Sequence, residues 1–235
     1  MTNHPVVSHE QWLEARKKLL AKEKEFTCLR DELSNLRREL PWEPVTKTYA
    51  FEGPEGAETL SDLFGGKSQL IVQHFMFHPD WDEGCKSCSF WADNFNGITA
   101  HLRQRDVAFA AISRAPLAKL QDFAKRLGWT FKWVSSNDND FNYDFEVSFR
   151  REALARGDAT YNFAKFQRAS SDMPGISVFA KDENGAVFRT YSTFGRGLDM
   201  MNTAYQYLDL APKGRDEAGL PHTMAWVKLR DLYDR

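Results

Sequence analysis

Two cysteines three positions apart, in Cys85-Lys86-Ser87-Cys88, are the residues of this chain best suited to chemistry. A dithiol at this spacing can close into a disulfide and pass two electrons by thiol–disulfide exchange, provided one sulfur is a thiolate. A helix N-terminus supplies that condition, because its unpaired N–H groups and dipole stabilise negative charge. The apolar run 69–77 precedes the pair and reads as a strand, and Ser89-Phe90-Trp91-Ala92-Asp93 can carry a helix onward. Cys85, at the helix start, is the candidate nucleophile. Cys88, one turn further on, is the candidate resolving thiol. Lys86 and the helix dipole lower the pKa of Cys85, while Asp82 and Glu83 raise it, and their sum is open at this stage.

Zinc is the competing chemistry, and it needs two further ligands. His74 and His78 are the nearest. If both lie on the strand, they sit about 13 Å apart, too far to share one ion with bonds of about 2 Å. No metal and no cofactor is expected. Trp81 and Trp91 flank the pair as candidate walls of a substrate groove, with core packing an equal explanation. Arg114 follows the second strand, at a sheet end where ligands often bind, and a helix-capping or surface role is preferred for it over a ligand-binding one. Cys28 falls in the N-terminal helix, and a redox role for it has no support.

The elements that position the pair follow from pattern. Ser8 with Gln11 forms a capping-box signature, and residues 8–40 read as helix up to Pro41. Trp12, Ala15, Leu19, Lys22, Phe26, Leu29, Leu33, Leu36 and Leu40 follow a heptad stripe with one polar interruption. The stripe fits packing on the helix's own domain or on a second copy in a homodimer, and the two stay open. Residues 42–48 read as a linker, 48–52 as a strand and 60–64 as a helical turn. A helix is predicted over 86–104, a strand over 107–113 and a helix from Pro116 to Gly128. A third strand is read at 132–136. The polar, aromatic stretch 137–172 gives no clear pattern, and its acidic aromatic part, 138–145, is read as a packed loop, with a cover over the cysteines as one option for it. Residues 175–180 and 186–191 flank Asn184-Gly185, a strong hairpin signal. A last helix is expected over 198–208. The organisation is therefore a helical extension and linker at 1–47, a main domain at 48–208 and a C-terminal extension at 209–235.

The 235 residues carry a net charge of −2, which gives no footprint for nucleic acid or anionic membrane. No apolar run approaches the roughly 20 residues of a membrane span. The N-terminus has no secretory pattern, and three cysteines are too few for a disulfide scaffold, so a cytoplasmic, reducing setting is expected.

Beyond pattern, the chain resembles an uncharacterised bacterial family catalogued as predicted dithiol-disulfide oxidoreductases of the thioredoxin-like superfamily. The most specific stretch is Pro79-Asp80-Trp81-Asp82-Glu83-Gly84-Cys85-Lys86-Ser87-Cys88-Ser89-Phe90-Trp91-Ala92-Asp93. Leu40-Pro41-Trp42, Tyr49-Ala50-Phe51-Glu52-Gly53-Pro54, Ser113-Arg114-Ala115-Pro116 and Met224-Ala225-Trp226-Val227 add to it. The resemblance spans roughly residues 8–233. It departs from the family at Lys86, where proline is expected. It implies an α/β fold, a thioredoxin-like mixed sheet flanked by helices, with N-terminal and C-terminal extensions. The cysteine pair makes a protein or small-molecule disulfide the expected substrate. In that fold a cis-proline preceding the hairpin lies against the cysteine pair and exposes the backbone of the residue before it to a bound chain. Met173-Pro174 occupies this place. Pro174 joins the catalytic set on that ground, and Trp81, Lys86, Trp91 and Met173 are the candidate substrate-binding residues. The alternatives are a non-catalytic thioredoxin-like binding or interaction module and, as an enzyme, a peroxiredoxin-like peroxidase. It needs a threonine three residues before its reactive cysteine and a proline four before that. Asp82 and His78 stand there for Cys85, and Cys85 and Trp81 for Cys88.

Overall fold

Ser8 starts the first element as its pattern predicts. Its hydroxyl accepts from the Gln11 N–H, and the Gln11 side chain accepts from the Ser8 N–H. In this computed structural model, residues 4–167 and 170–233 are described. Helix α1, His9–Glu39, runs unbroken for 31 residues and ends before Pro41. None of its residues is buried, and Trp12, Leu19, Phe26, Leu29, Leu33 and Leu36 of the stripe are exposed. Cys28 is exposed on it as well. The chain divides after Pro41 into two compact units.

The second unit begins with strand β1, Glu43–Pro44, within the segment predicted to be a linker. That expectation is corrected: these residues pair with a later strand, and the Val45 N–H donates to the Val187 carbonyl. Strands β2 (Ala50–Gly53) and β3 (Gly56–Thr59) form a hairpin, and a 3-10 turn, Asp62–Phe64, follows. β4 is Gln69–His74. Helices α2 (Lys86–Ala92) and α3 (Phe95–Gln104) replace the single helix predicted there, with the break at Asp93-Asn94. β5 (Val107–Ser113), α4 (Leu117–Arg126) and β6 (Trp133–Ser135) match their predicted places. The unassigned stretch holds α5 (Phe141–Asp144), α6 (Arg151–Arg156) and a small hairpin, β7 (Thr160–Tyr161) with β8 (Ala164–Lys165). β9 (Gly175–Lys181) and β10 (Val187–Phe194) are the Asn-Gly hairpin. The expected last helix is split into a 3-10 segment, Gly195–Met201, and α7, Thr203–Leu208.

The sheet order is β1-β10-β9-β4-β5-β6-β2-β3. β4 and β5 are parallel and joined through α2 and α3, while β9 runs antiparallel to β4 and β10 antiparallel to β9. This β-α-β unit closed by an antiparallel hairpin is the thioredoxin-like plan, in a mixed α/β sheet flanked by helices.

Period-two alternation sorts side chains between the two sheet faces. Leu70, Val72, Ala110 and Ile112 join one cluster with Phe51, Phe64, Phe141 and Phe179. Phe75, Ala111 and Trp133 join the other with Cys88, Trp91, Phe123 and Trp129. Because both faces are covered, β4 and β5 read as nearly continuous apolar runs. Phe141 and Phe145 fill the cluster away from Cys88, so 138–145 is not a cover over the cysteines. The C-terminal segment is part of the same unit. Leu229 is buried beside Trp129, and Glu217 Oε1 accepts from Tyr205 OH, Trp226 Nε1 and the Met224 N–H at 2.8–2.9 Å. No helix among the described residues is long and apolar enough to cross a membrane.

Candidate active site

The chain leaves β4 at His74 and returns at once. The Cys85 N–H donates to the Met76 carbonyl at 3.0 Å, which sets the start of α2 against the end of the strand. Gly84 permits this turn: a Cβ there would stand 2.9 Å from ring atoms of both Phe75 and Phe123. Cys85 is the N-cap of α2, and its carbonyl accepts the first helical bond, from Ser89. Cys88 is one turn in and 2 % exposed, while Cys85 is half-buried. Both are thiols and come within 3.8 Å of each other.

Their surroundings differ in sign. The Cys88 thiol, as a hydrogen-bond donor to the Cys85 sulfur, is the largest influence on Cys85. The N–H groups of Cys88 and Ser87 and the Ser87 hydroxyl add to it, and burial opposes them. The balance lowers the Cys85 pKa to about 7. Cys88 is pushed well above the ordinary thiol range by its bond to Cys85, by burial and by charge on Cys85. The Asp172 carboxylate adds to this, and the Met76 N–H, 3.4 Å from Cys88 Sγ, works against it.

Two of the three charged residues weighed from sequence, Lys86 and Glu83, are engaged elsewhere. Lys86 Nζ donates to the Ala225 carbonyl at 3.4 Å, and Glu83 is paired with Arg126. The first tie draws the C-terminal segment along α2, where Trp226 also packs edge-on against Phe90, 5.4 Å between ring centroids.

The other candidate residues divide. Trp81 is half-buried and packs in the cluster that also touches Cys85. Trp91 is corrected from groove wall to core: it is 7 % exposed, and its indole N–H donates to the Leu198 carbonyl at 2.9 Å. Pro174 directly precedes Gly175, which pairs with His74, so it lies at the β4 end from which the cysteine turn departs. Its expected cis bond is corrected, because no peptide bond among the described residues is cis. The Met173 N–H donates to the Val147 carbonyl at 2.8 Å and the Pro174 carbonyl accepts from Tyr161 OH at 2.7 Å, which holds this segment from both sides. The Met173 N–H is therefore taken, and its side chain packs toward Phe149, Phe166 and Phe194.

His74 is a core residue. Its Nε2 meets Ser177 Oγ at 2.9 Å, and it stacks on Phe141 and Phe145. Burial, then the Arg189 charge, lowers its pKa to about 3, so it is neutral. His78 has left the strand, and its Nδ1 accepts from the Asp80 N–H.

Sequence reasoning missed the ion pair behind the cysteines. Arg114 is 9 % exposed, not a surface residue. It grips buried Asp172 through Nε at 2.9 Å and Nη2 at 3.1 Å, and its Nη1 donates to Tyr143 OH. Ser148 and Ser171 hydroxyls also donate to Asp172. With the partners 58 positions apart, no local spacing reveals the pair.

A model of one protein family, described as "Bacterial protein of unknown function (DUF899)", matches residues 1–233. The chain belongs to this family. No curated relative matches this member of it. Among solved structures, it is similar to PrxQ from Xylella fastidiosa at 15 % identity. That match covers 68 % of this chain and 89 % of that one, with a TM-score of 0.42. It is also similar to the peroxidoxin BcpB from Mycobacterium tuberculosis, at 12 % identity over 72 % and 97 % of the two chains, TM-score 0.46. A putative thiol:disulfide interchange protein DsbE from Chlorobium tepidum matches at 15 % identity over 70 % and 97 %, TM-score 0.40.

Proposed function

We propose that this family member is a thiol–disulfide oxidoreductase in which Cys85 attacks and Cys88 resolves. The observation that carries the reading is the asymmetry of the pair. One thiol has a pKa near neutrality at a helix start, and its neighbour keeps its proton one turn deeper. A Cys85 thiolate attacks one sulfur of a disulfide, forming a mixed disulfide and releasing the first thiolate, which takes up a proton. Cys88 then loses its proton and attacks the Cys85 sulfur. The Cys85–Cys88 disulfide forms, the second thiol leaves, and two electrons have passed to the substrate. The charge lost from Cys85 in the first step removes one cause of the high Cys88 pKa, so the resolving thiol becomes easier to ionise when it is needed.

The test uses the reduced full chain and one equivalent of 2-hydroxyethyl disulfide. The expected result is release of two mercaptoethanol molecules per chain, with a protease digest yielding one fragment pair cross-linked through Cys85 and Cys88. An adduct that stays on a single cysteine, or no reaction, contradicts the reading.

A further inference from the structure

A pocket of about 720 Å³ opens near the C-terminal ends of β4 and β5, and the oxidoreductase reading leaves it unused. Its position relates it to the dithiol. His78 on its wall is two residues past Met76, whose N–H and carbonyl hold Cys88 and Cys85. Ser171 on its rim precedes Asp172, whose charge reaches Cys88. The size suits a small molecule.

The wall is rich in guanidinium groups. Arg114, Arg150 and Arg151 line it with Glu152, while Asp172 pairs with Arg114 and Asp140 with Arg150. Tyr143 holds the first two together: its ring centroid is 5.0 Å from the Arg114 guanidinium and 4.4 Å from that of Arg150. A guanidinium offers five N–H donors. Arg114 places three of them, two on Asp172 and one on Tyr143, which leaves two without a partner among the described residues. Arg150 gives one bond to Asp140 at 2.6 Å. Arg151 is exposed and has no carboxylate partner among the described residues. The donors left over on these guanidiniums, and the whole of the Arg151 head, suit a carboxylate, which fits a guanidinium with two parallel bonds.

Two further features favour a small substrate over a protein chain. The Met173 N–H, which an extended substrate chain would use, is already bonded to Val147. The C-terminal segment also lies along α2 through Lys86 and Trp226.

We propose that this pocket binds the carboxylate end of a small acidic disulfide and thereby selects the substrate that Cys85 and Cys88 reduce. The proposal rests on the oxidoreductase reading and names its substrate class. The step is the exchange already balanced there: the acidic disulfide gains two electrons and two protons and leaves as two thiols.

The experiment compares single-turnover oxidation of the reduced protein by three disulfides. They are 3,3′-dithiodipropionate with two carboxylates, neutral 2-hydroxyethyl disulfide, and cystamine with two ammonium groups. Each rate is divided by the rate of the same disulfide with free dithiothreitol. At low ionic strength the acidic disulfide is expected to exceed the neutral one by about tenfold and cystamine to fall below it, a preference that shrinks as salt is added. Changing Arg150→Gln and Arg151→Gln together should bring the three normalised rates toward one value. Arg156→Gln, on the same helix but outside the pocket lining, should keep the wild-type preference. Equal normalised rates in the wild type overturn the pocket's role and leave the oxidoreductase reading standing. Failure of all three reagents to form the Cys85–Cys88 disulfide overturns both.

Discussion

Replacing Cys85 by serine is expected to lower the alkylation rate of the cysteine pair at pH 7 on the order of 100-fold. The magnitude follows from ionisation. A thiol with a pKa near 7 is about half thiolate at that pH, whereas one above 9 is about 1 % thiolate or less. In the variant Cys88 loses both contributions of Cys85 to its raised pKa but keeps those of burial and the Asp172 charge, and burial also restricts the reagent's access to it. In the wild type, alkylation at Cys85 should rise with pH through a midpoint of about 7, below the roughly 8.5 of a free cysteine. The direction follows because the thiolate is the nucleophile and deprotonation creates it. Cys88→Ala removes the largest cause of the lowered pKa, the thiol bond to Cys85. Its alkylation midpoint should therefore move up, leaving Cys85 less reactive at pH 7. Site-resolved mass spectrometry after brief iodoacetamide exposure checks all three proteins and scores Cys28 separately. A wild-type midpoint at or above 8.5, unmoved in Cys88→Ala, contradicts the electrostatic account.

Asp172→Ala should destabilise the second unit by about 3–5 kcal/mol, because it strands a buried guanidinium without its counter-charge. Arg114 is 9 % exposed, and two of its three bonds go to Asp172. Ser148 and Ser171 lose an acceptor in the same change. The loss is read from the urea midpoint at constant slope. Pairing the change with Arg114→Met removes the uncompensated charge and should restore a large part of that loss. A single variant that costs under about 1 kcal/mol, with no recovery in the double variant, shows that the pair does not hold this end of the sheet.

These two outcomes mark where the sequence is readable. The cysteine spacing, the strand before it and the Asn-Gly hairpin are local signals, and each appears at its expected place. So does the capping box at Ser8, because Gln11 lies within its reach. The α2–α3 break was hidden, since Asp93-Asn94 carries no proline or glycine to announce it. β1 reads as a linker because two residues, one of them Pro44, show no periodicity, and their pairing partner, β10, lies far along the chain. Trp91 and Trp81 look alike in sequence, yet the helical phase of α2 turns Trp91 into the core, while Trp81, in the loop before that helix, stays half-buried. The Arg114–Asp172 pair, with Tyr143 across it, is long-range in the same sense. The residues that do the proposed chemistry were legible, and those that shape its surroundings emerged only when the sheet brought them together.

The most direct measurement of the central claim is a redox titration of the full chain against mixtures of reduced and oxidised glutathione, with free thiols counted at each point. The account predicts that two thiols per chain disappear together in one two-electron transition, that they map to Cys85 and Cys88, and that Cys28 does not take part in it. A chain in which Cys85 and Cys88 stay unlinked at every glutathione ratio, up to the fully oxidised couple, contradicts it.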